Sequence, residues 1–131
     1  MKEYSIGRNR NIVLATYQNV MDDAKRIEVE LSYDAGGRSY ISGNRHKRGY
    51  YLYVQPIEVQ HYKRDDGSVF YTKSFVAYTG LRKFLVEAKM YSAPKLLQLA
   101  SRMSKDSWAE ILLTVMKQNH YDPNEWELVN D

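Results

Sequence analysis

Seven cationic side chains, Arg38, Arg45, Lys47, Arg48, Lys63, Arg64 and Lys73, fall in a stretch that also carries Tyr40, Tyr51, Tyr53, Tyr62 and Tyr71. Cations neutralise phosphates and aromatic rings stack on unpaired bases, each stacked base contributing about 1–3 kcal/mol. The interleaving therefore has the chemistry of a single-stranded nucleic-acid groove. Tyr51 and Tyr53 stand two residues apart, so on a strand their rings share one face. If Leu52 and Val54 turn towards a core, that face is the open one. The same residues also fit a plainer reading, in which the tyrosines cover the sheet or a protein interface and residues 45–48 form a solvated loop.

Other chemistries find less support. His46, His61 and His120 are the only histidines, and no metal-ligand spacing links them. The chain has no cysteine, which excludes disulfides, thiol catalysis, iron–sulfur clusters and cysteine-ligated zinc, and fits a reducing compartment. No nucleophile-elbow sequence surrounds a serine. Asp22-Asp23 and Asp65-Asp66 both sit in turn sequences, where aspartate bonds its own backbone. Gly36, Gly37, Gly43 and Gly49 make no phosphate loop, because neither a lysine-serine pair nor a helix follows them. The expectation is a non-enzymatic protein without metal or cofactor.

At 131 residues the chain is of a size for one domain spanning 1–131. No apolar run reaches the about 18 residues of a membrane span, and the start, Met1-Lys2-Glu3-Tyr4-Ser5, lacks a signal-peptide core. These features read as a cytoplasmic protein with no membrane partner. The net charge of +3 divides unevenly, +6 over residues 1–100 and −3 over 101–131. An anion-binding surface thus belongs to the front of the chain. Eight of the twelve tyrosines lie between Tyr33 and Tyr78, which marks that region as sheet.

The elements that must position these residues follow from periodicity. Asn11 to Val20 reads as extended. From Arg26 the alternation is clean, with Ile27, Val29, Leu31 and Tyr33 on one face and Glu28, Glu30 and Ser32 on the other. Gly36-Gly37 permits a reversal, a short strand is expected near Tyr40 and Ile41, and a basic loop follows. Tyr50 to Lys63 makes a long strand whose apolar parity switches between Val54 and Ile57, which predicts a bulge at Pro56. Asp65-Asp66-Gly67-Ser68 is a hairpin turn leading to Val69–Tyr78. Leu81, Phe84, Leu85 and Ala88 follow the i, i+3, i+4, i+7 spacing of a helix. A second helix starts at Ser92 with Pro94 in its first turn, and a third carries a capping box at Ser107-Trp108-Ala109-Glu110 and ends near Asn119. The fold class is α+β: an antiparallel four- to five-stranded β-meander (about 11–79), then two or three helices (about 81–119) packed on one face, then an acidic tail (120–131).

At Gly36-Gly37 and across Arg48-Gly49-Tyr50-Tyr51-Leu52-Tyr53-Val54-Gln55-Pro56, the sequence resembles small uncharacterised proteins of phages and conjugative elements of Gram-positive bacteria, a resemblance covering residues 11 to 90. It implies an accessory protein of a mobile element. In layout, Arg26 to Tyr91 is similar to the Whirly proteins and the transcriptional positive cofactor of the same architecture, a four-stranded sheet followed by a helix. That likeness implies single-stranded DNA binding through sheet aromatics and basic residues, by a homo-oligomer. The Lys-Gly-Lys-Ala-Ala-Leu signature of Whirly proteins is absent here.

The reading is thus a nucleic-acid-binding module, single-stranded DNA favoured, with Arg38, Arg45, Lys47, Arg48, Lys63, Arg64 and Lys73 on phosphates and Tyr51 and Tyr53 on bases. The alternative is an interaction or inhibitor protein acting on a host protein partner. An enzyme comes third.

Overall fold

The computed structural model describes residues 2–6, 9–38, 45–75 and 80–129. The fold is α+β. One antiparallel sheet runs β1 (Lys2–Ile6), β2 (Asn9–Asn19), β3 (Lys25–Asp34), β6 (Gly49–Lys63) and β7 (Val69–Phe75), with β8 (Leu81–Glu87) added to β6 and β9 (Trp126–Val129) added to β2. Two short strands, β4 (Gly37–Arg38) and β5 (Arg45–His46), pair separately. Helices α1 (Ala93–Arg102) and α2 (Lys105–Gln118) follow the sheet and cover one face of it. The short strand expected near Tyr40 and Ile41 lies outside the described residues.

The covered face follows the apolar alternation. Ile27, Val29, Leu52 and Val54 pack with Trp108, Leu112, Val115 and Met116 of α2, while Leu31, Tyr33 and Tyr50 pack with Leu96, Leu99 and Ala100 of α1. In β2 the register with β3 shifts between Val13 and Ala15. That bulge at Leu14 lets Ile12, Leu14 and Ala15 all reach the helices despite their spacing. Polar anchors complete the layer: Trp108 Nε1 donates to the Tyr17 hydroxyl (3.1 Å), and the Tyr50 hydroxyl donates to the Ser92 carbonyl (3.2 Å) while accepting from its N–H (3.0 Å).

Four local expectations need correction. The first concerns residues 81–88, of which Leu81–Glu87 form β8 rather than a helix. An isolated helix of two turns is marginal, whereas leaving the Gly49–Val54 edge of β6 unpaired would forfeit about 1 kcal/mol for each ladder hydrogen bond. β8 pairs that edge from Val54↔Leu81 to Gly49↔Glu87, with a register shift opposite Tyr50 and Tyr51 that turns both Leu85 and Val86 inward. The bulge imitates helical spacing in the sequence.

The second concerns Pro56, where no bulge forms: β6 keeps unbroken register with β3 from Gly49 to Glu58 and with β7 from Ile57 to Lys63. The Val59 N–H points to the β3 side, where it donates to the Ala24 carbonyl (2.8 Å). By alternation, position 56 points to the other edge, between the described pairs of β8 and of β7, so its missing N–H costs no ladder bond among the described residues. The parity switch instead marks a change of face: Leu52 and Val54 face the helices, and Ile57 and Val59 are buried on the opposite side. The third correction follows, because that opposite side is not open. Glu28 and Glu30 are only 2% and 4% exposed, and Ser32, Asp34 and Gln55 are buried with them.

The fourth concerns the C-terminal elements. α2 begins at Lys105 with Ser104 as its N-cap, and the capping box is Ser104 with Ser107, three residues before the expected one. The segment after His120 is not simply a solvated tail: Trp126 packs on Tyr121 (centroids 4.9 Å) and on the core, and β9 extends the sheet beside β2. Three further local expectations hold. Ser92 caps α1 with Pro94 in its first turn, Asn119 ends α2, and the Asp65–Ser68 turn closes with Arg64 N–H to Ser68 O at 2.8 Å and Gly67 at φ 86°.

β8 reaches β6 only because Gly49 lacks a side chain. A β-carbon there would stand 2.2 Å from the Val86 carbonyl oxygen, and Gly49 also holds φ at +157°. Gly49→Ala is expected to lower unfolding free energy by at least about 2 kcal/mol, through overpacking that backbone atoms cannot relieve. Urea denaturation followed by circular dichroism measures it, and a loss within about 0.5 kcal/mol would contradict the account.

Candidate nucleic-acid interface

At the end of β3, Asp34 gathers three elements. Its Oδ1 accepts the Gly36 N–H (2.8 Å), and its Oδ2 accepts both His46 Nε2 of β5 (2.9 Å) and Arg82 Nη1 of β8 (3.0 Å). Burial pushes the Asp34 pKa up, but the Gly36 N–H, the Arg82 guanidinium and His46 together outweigh it and hold the carboxyl below its ordinary 3.8. The carboxylate therefore stays charged and fixes Arg82 in place.

Arg82 lies over the Tyr51 ring at 4.6 Å and farther from Tyr53 at 5.9 Å. Tyr51 also meets Phe84 edge-on (5.3 Å), and its hydroxyl donates to the Lys47 carbonyl (2.5 Å). Burial raises the Tyr51 pKa against the lowering influence of Arg82, and Tyr53 is raised in the same way. Tyr51 is thus the inner layer of an ordered stack rather than an exposed platform, being 6% exposed. The expectation that Tyr51 and Tyr53 face an open sheet surface fails because that surface is buried; Tyr53 is half-buried beside Arg82.

What is exposed is the next layer out. Phe84 is 36% exposed with Lys47 Nζ 5.2 Å from its ring centre, and Arg82 shares its face of β8 while Lys83 projects from the other. Arg48 ties this edge to the neighbouring loops, donating from Nε to the Ala35 carbonyl (3.0 Å) and from Nη1 to the Lys89 carbonyl (3.1 Å). Lys47, Arg48, Arg82, Lys83 and Lys89 are all exposed along this edge, with Glu87 as the exposed acid among them.

The sequence-derived cations do not form one site. Lys47 and Arg48 precede β6, whereas Lys63 ends it and Arg64 follows, fifteen residues of strand away. At ~3.3 Å per residue the two groups stand on the order of 45 Å apart along the strand. Arg64 packs over Phe70 (4.5 Å) and Lys63 is exposed beside it. Arg38, Arg45 and Lys73 contribute described backbone in β4, β5 and β7, but their side chains lie outside the described set, as does Tyr40 altogether.

Arg82, Lys83 and Lys89 escape the sequence reading because a helical reading of 81–88 makes them an ordinary solvated helix face and assigns Phe84 to the buried one. Gly80 is the signal that identifies the strand: a β-carbon there would lie 2.7 Å from the Tyr53 ring and 2.9 Å from the Val54 carbonyl. Among the described residues no group of His, Asp and Glu side chains could hold a metal ion, and no helix is long and apolar enough to cross a membrane. The chain matches no family model, no curated protein and no solved structure.

Because the folded-state pKa of Asp34 is depressed, the stability it contributes is present above its ordinary value and is lost as pH falls below 3.8 through the folded value. Asp34→Asn is expected to lower stability by about 1–3 kcal/mol at neutral pH and to flatten the acid limb of the stability–pH curve. Thermal melts between neutral pH and strong acid measure both. An unchanged acid limb would remove Asp34 from this role.

Proposed function

We propose that this chain is a non-enzymatic nucleic-acid-binding module that takes a single strand along the β8 edge. One observation carries the reading: Lys47 lies 5.2 Å from the exposed ring of Phe84, Arg82 is held over the Tyr51 ring that Phe84 meets edge-on, and Arg48, Lys83 and Lys89 are exposed on the same strand and its flanking loops. Cations along such an edge neutralise successive phosphates, and the ring offers any base a π-face without reading its sequence. A single strand suits the arrangement, since its bases are free to turn onto Phe84 while those of a duplex are not. The buried stack beneath holds Arg82 and Phe84 in place before the ligand arrives, which reduces the ordering cost of binding. This function accords with an accessory role on a mobile element, where the sequence resemblance points.

A second reading has its own observation. The outer edge of β8 has no partner strand among the described residues, so an extended segment of a host protein could add to the sheet there. The two readings differ in salt dependence, because phosphate binding releases counterions and backbone pairing does not.

Fluorescence anisotropy of a labelled single-stranded oligonucleotide tests the proposal. Phe84→Ala is expected to cost about 1–3 kcal/mol of affinity with little change in salt slope. Lys47→Ala/Lys83→Ala/Lys89→Ala is expected to reduce the slope of log affinity against log salt by about 2, at about 0.7 per phosphate contact. Absence of binding by the folded protein at low salt would overturn the proposal and turn attention to a protein partner.

A further inference from the structure

The far end of β6 is built differently from the rest of the sheet. Strand β3 accompanies β6 only as far as Lys25↔Glu58, with one further bond from the Val59 N–H to the Ala24 carbonyl. Beyond that, Gln60–Lys63 pairs with Val69–Thr72 alone, and no third strand flanks this ribbon among the described residues. A two-stranded ribbon is marginal in water unless its apolar surface finds a cover.

That surface stands uncovered here. Tyr62 is 44% exposed and Val69 65% exposed, and Tyr62 stacks on Phe70 (5.3 Å, 24° between planes) under the guanidinium of Arg64. The tip adds a charge pattern of two cations followed by two carboxylates, Lys63-Arg64-Asp65-Asp66. Its net charge is zero, so a polyanion gains nothing on average by docking there. Turned end for end, however, the pattern complements itself, cation against carboxylate. A twofold interface demands that property, because the same patch must serve both subunits.

We propose that the β6–β7 hairpin tip is a self-association surface through which two copies of this chain pair about a twofold axis. Tyr62 and Phe70, a directly paired couple on one face of the ribbon, supply the apolar contact, and the Lys63–Asp66 tip sets the antiparallel register. The turn is rigid beforehand: Asp66 Oδ1 accepts the Ser68 N–H (2.8 Å) and hydroxyl (2.6 Å). Little ordering is then required on association. The surface lies at the opposite end of β6 from Lys47 and Arg48, so pairing leaves the β8 edge free, and the proposal stands independently of what that edge binds.

Sedimentation equilibrium of the full chain, from micromolar to millimolar, tests it by charge exchange. The wild type is expected to show a concentration-dependent monomer–dimer equilibrium. Arg64→Glu and Asp65→Lys, each alone, are expected to weaken it at least tenfold, because these two positions face each other in the antiparallel register and each change places like charges opposite one another. An equimolar mixture of the two variants is expected to regain a dimer, now a heterodimer. Tyr62→Ser is expected to weaken dimerisation at least tenfold at low and high salt alike, with circular dichroism showing an intact fold. A wild type that stays monomeric throughout, or a mixture that associates no better than the separate variants, would overturn the proposal.

Discussion

Strand β6 is paired on both edges at once, and the contact that permits this is the bare α-carbon of Gly49 against the Val86 carbonyl. With β8 seated there, Leu81, Leu85 and Val86 extend the apolar layer under the helices, joining the two clusters that α1 and α2 cover. The same seating turns Arg82 and Phe84 to the other side and leaves the loop at 47–48 beside them. A single close approach of two backbones thus determines both how the core is completed and which side chains the molecule offers to a ligand.

Charge is organised around that geometry in layers. Asp34 carries its negative charge in a setting that would otherwise disfavour it, and it does so because a backbone N–H, a guanidinium and a histidine converge on it. Breaking one member of such a set leaves the others desolvated without full compensation, so the cluster resists piecemeal change. Arg82 is shared between Asp34 and the face of Tyr51, which gives it a fixed direction despite its partial exposure. Fixing a cation in this way lowers the entropy it loses on meeting a ligand, and separates it from the exposed Lys47 over the neighbouring Phe84 ring.

The α+β layout, the Asp65–Ser68 turn, the Ser92 start of α1 and the apolar face of α2 were legible in the sequence, because each rests on a short-range rule: turn chemistry, capping or the 3.6-residue period. What misled were places where a long-range contact decides. Residues 81–88 carry helical spacing because a bulge at Leu85 mimics it, and only the vacant edge of β6 selects the strand. The parity switch in β6 looks like an inserted residue, yet it records a change in which face is buried. Tyr51 and Tyr53 were correctly read as facing away from the helices. That this second face is also enclosed depends on how the sheet is folded, which no alternation pattern carries. The basic cluster divided because sequence proximity to the ends of one long strand is not proximity in space.

β1 and β9 lie end to end along the same outer edge of β2, pairing residues 9–13 and 16–19 respectively. The segments nearest the two ends of this chain therefore share one margin of the sheet, while β8 occupies the other. With β2, β3 and β6 between them, the margins are four strand spacings apart, about 19 Å through the sheet. A dye, an affinity handle or a fused partner joined at either end is thereby held on the side away from Phe84 and its cations. The layout also suits circular permutation: a short linker could bridge the two ends along that margin, and new ends opened in the Asp65–Ser68 turn would leave both helices and every core strand uncut.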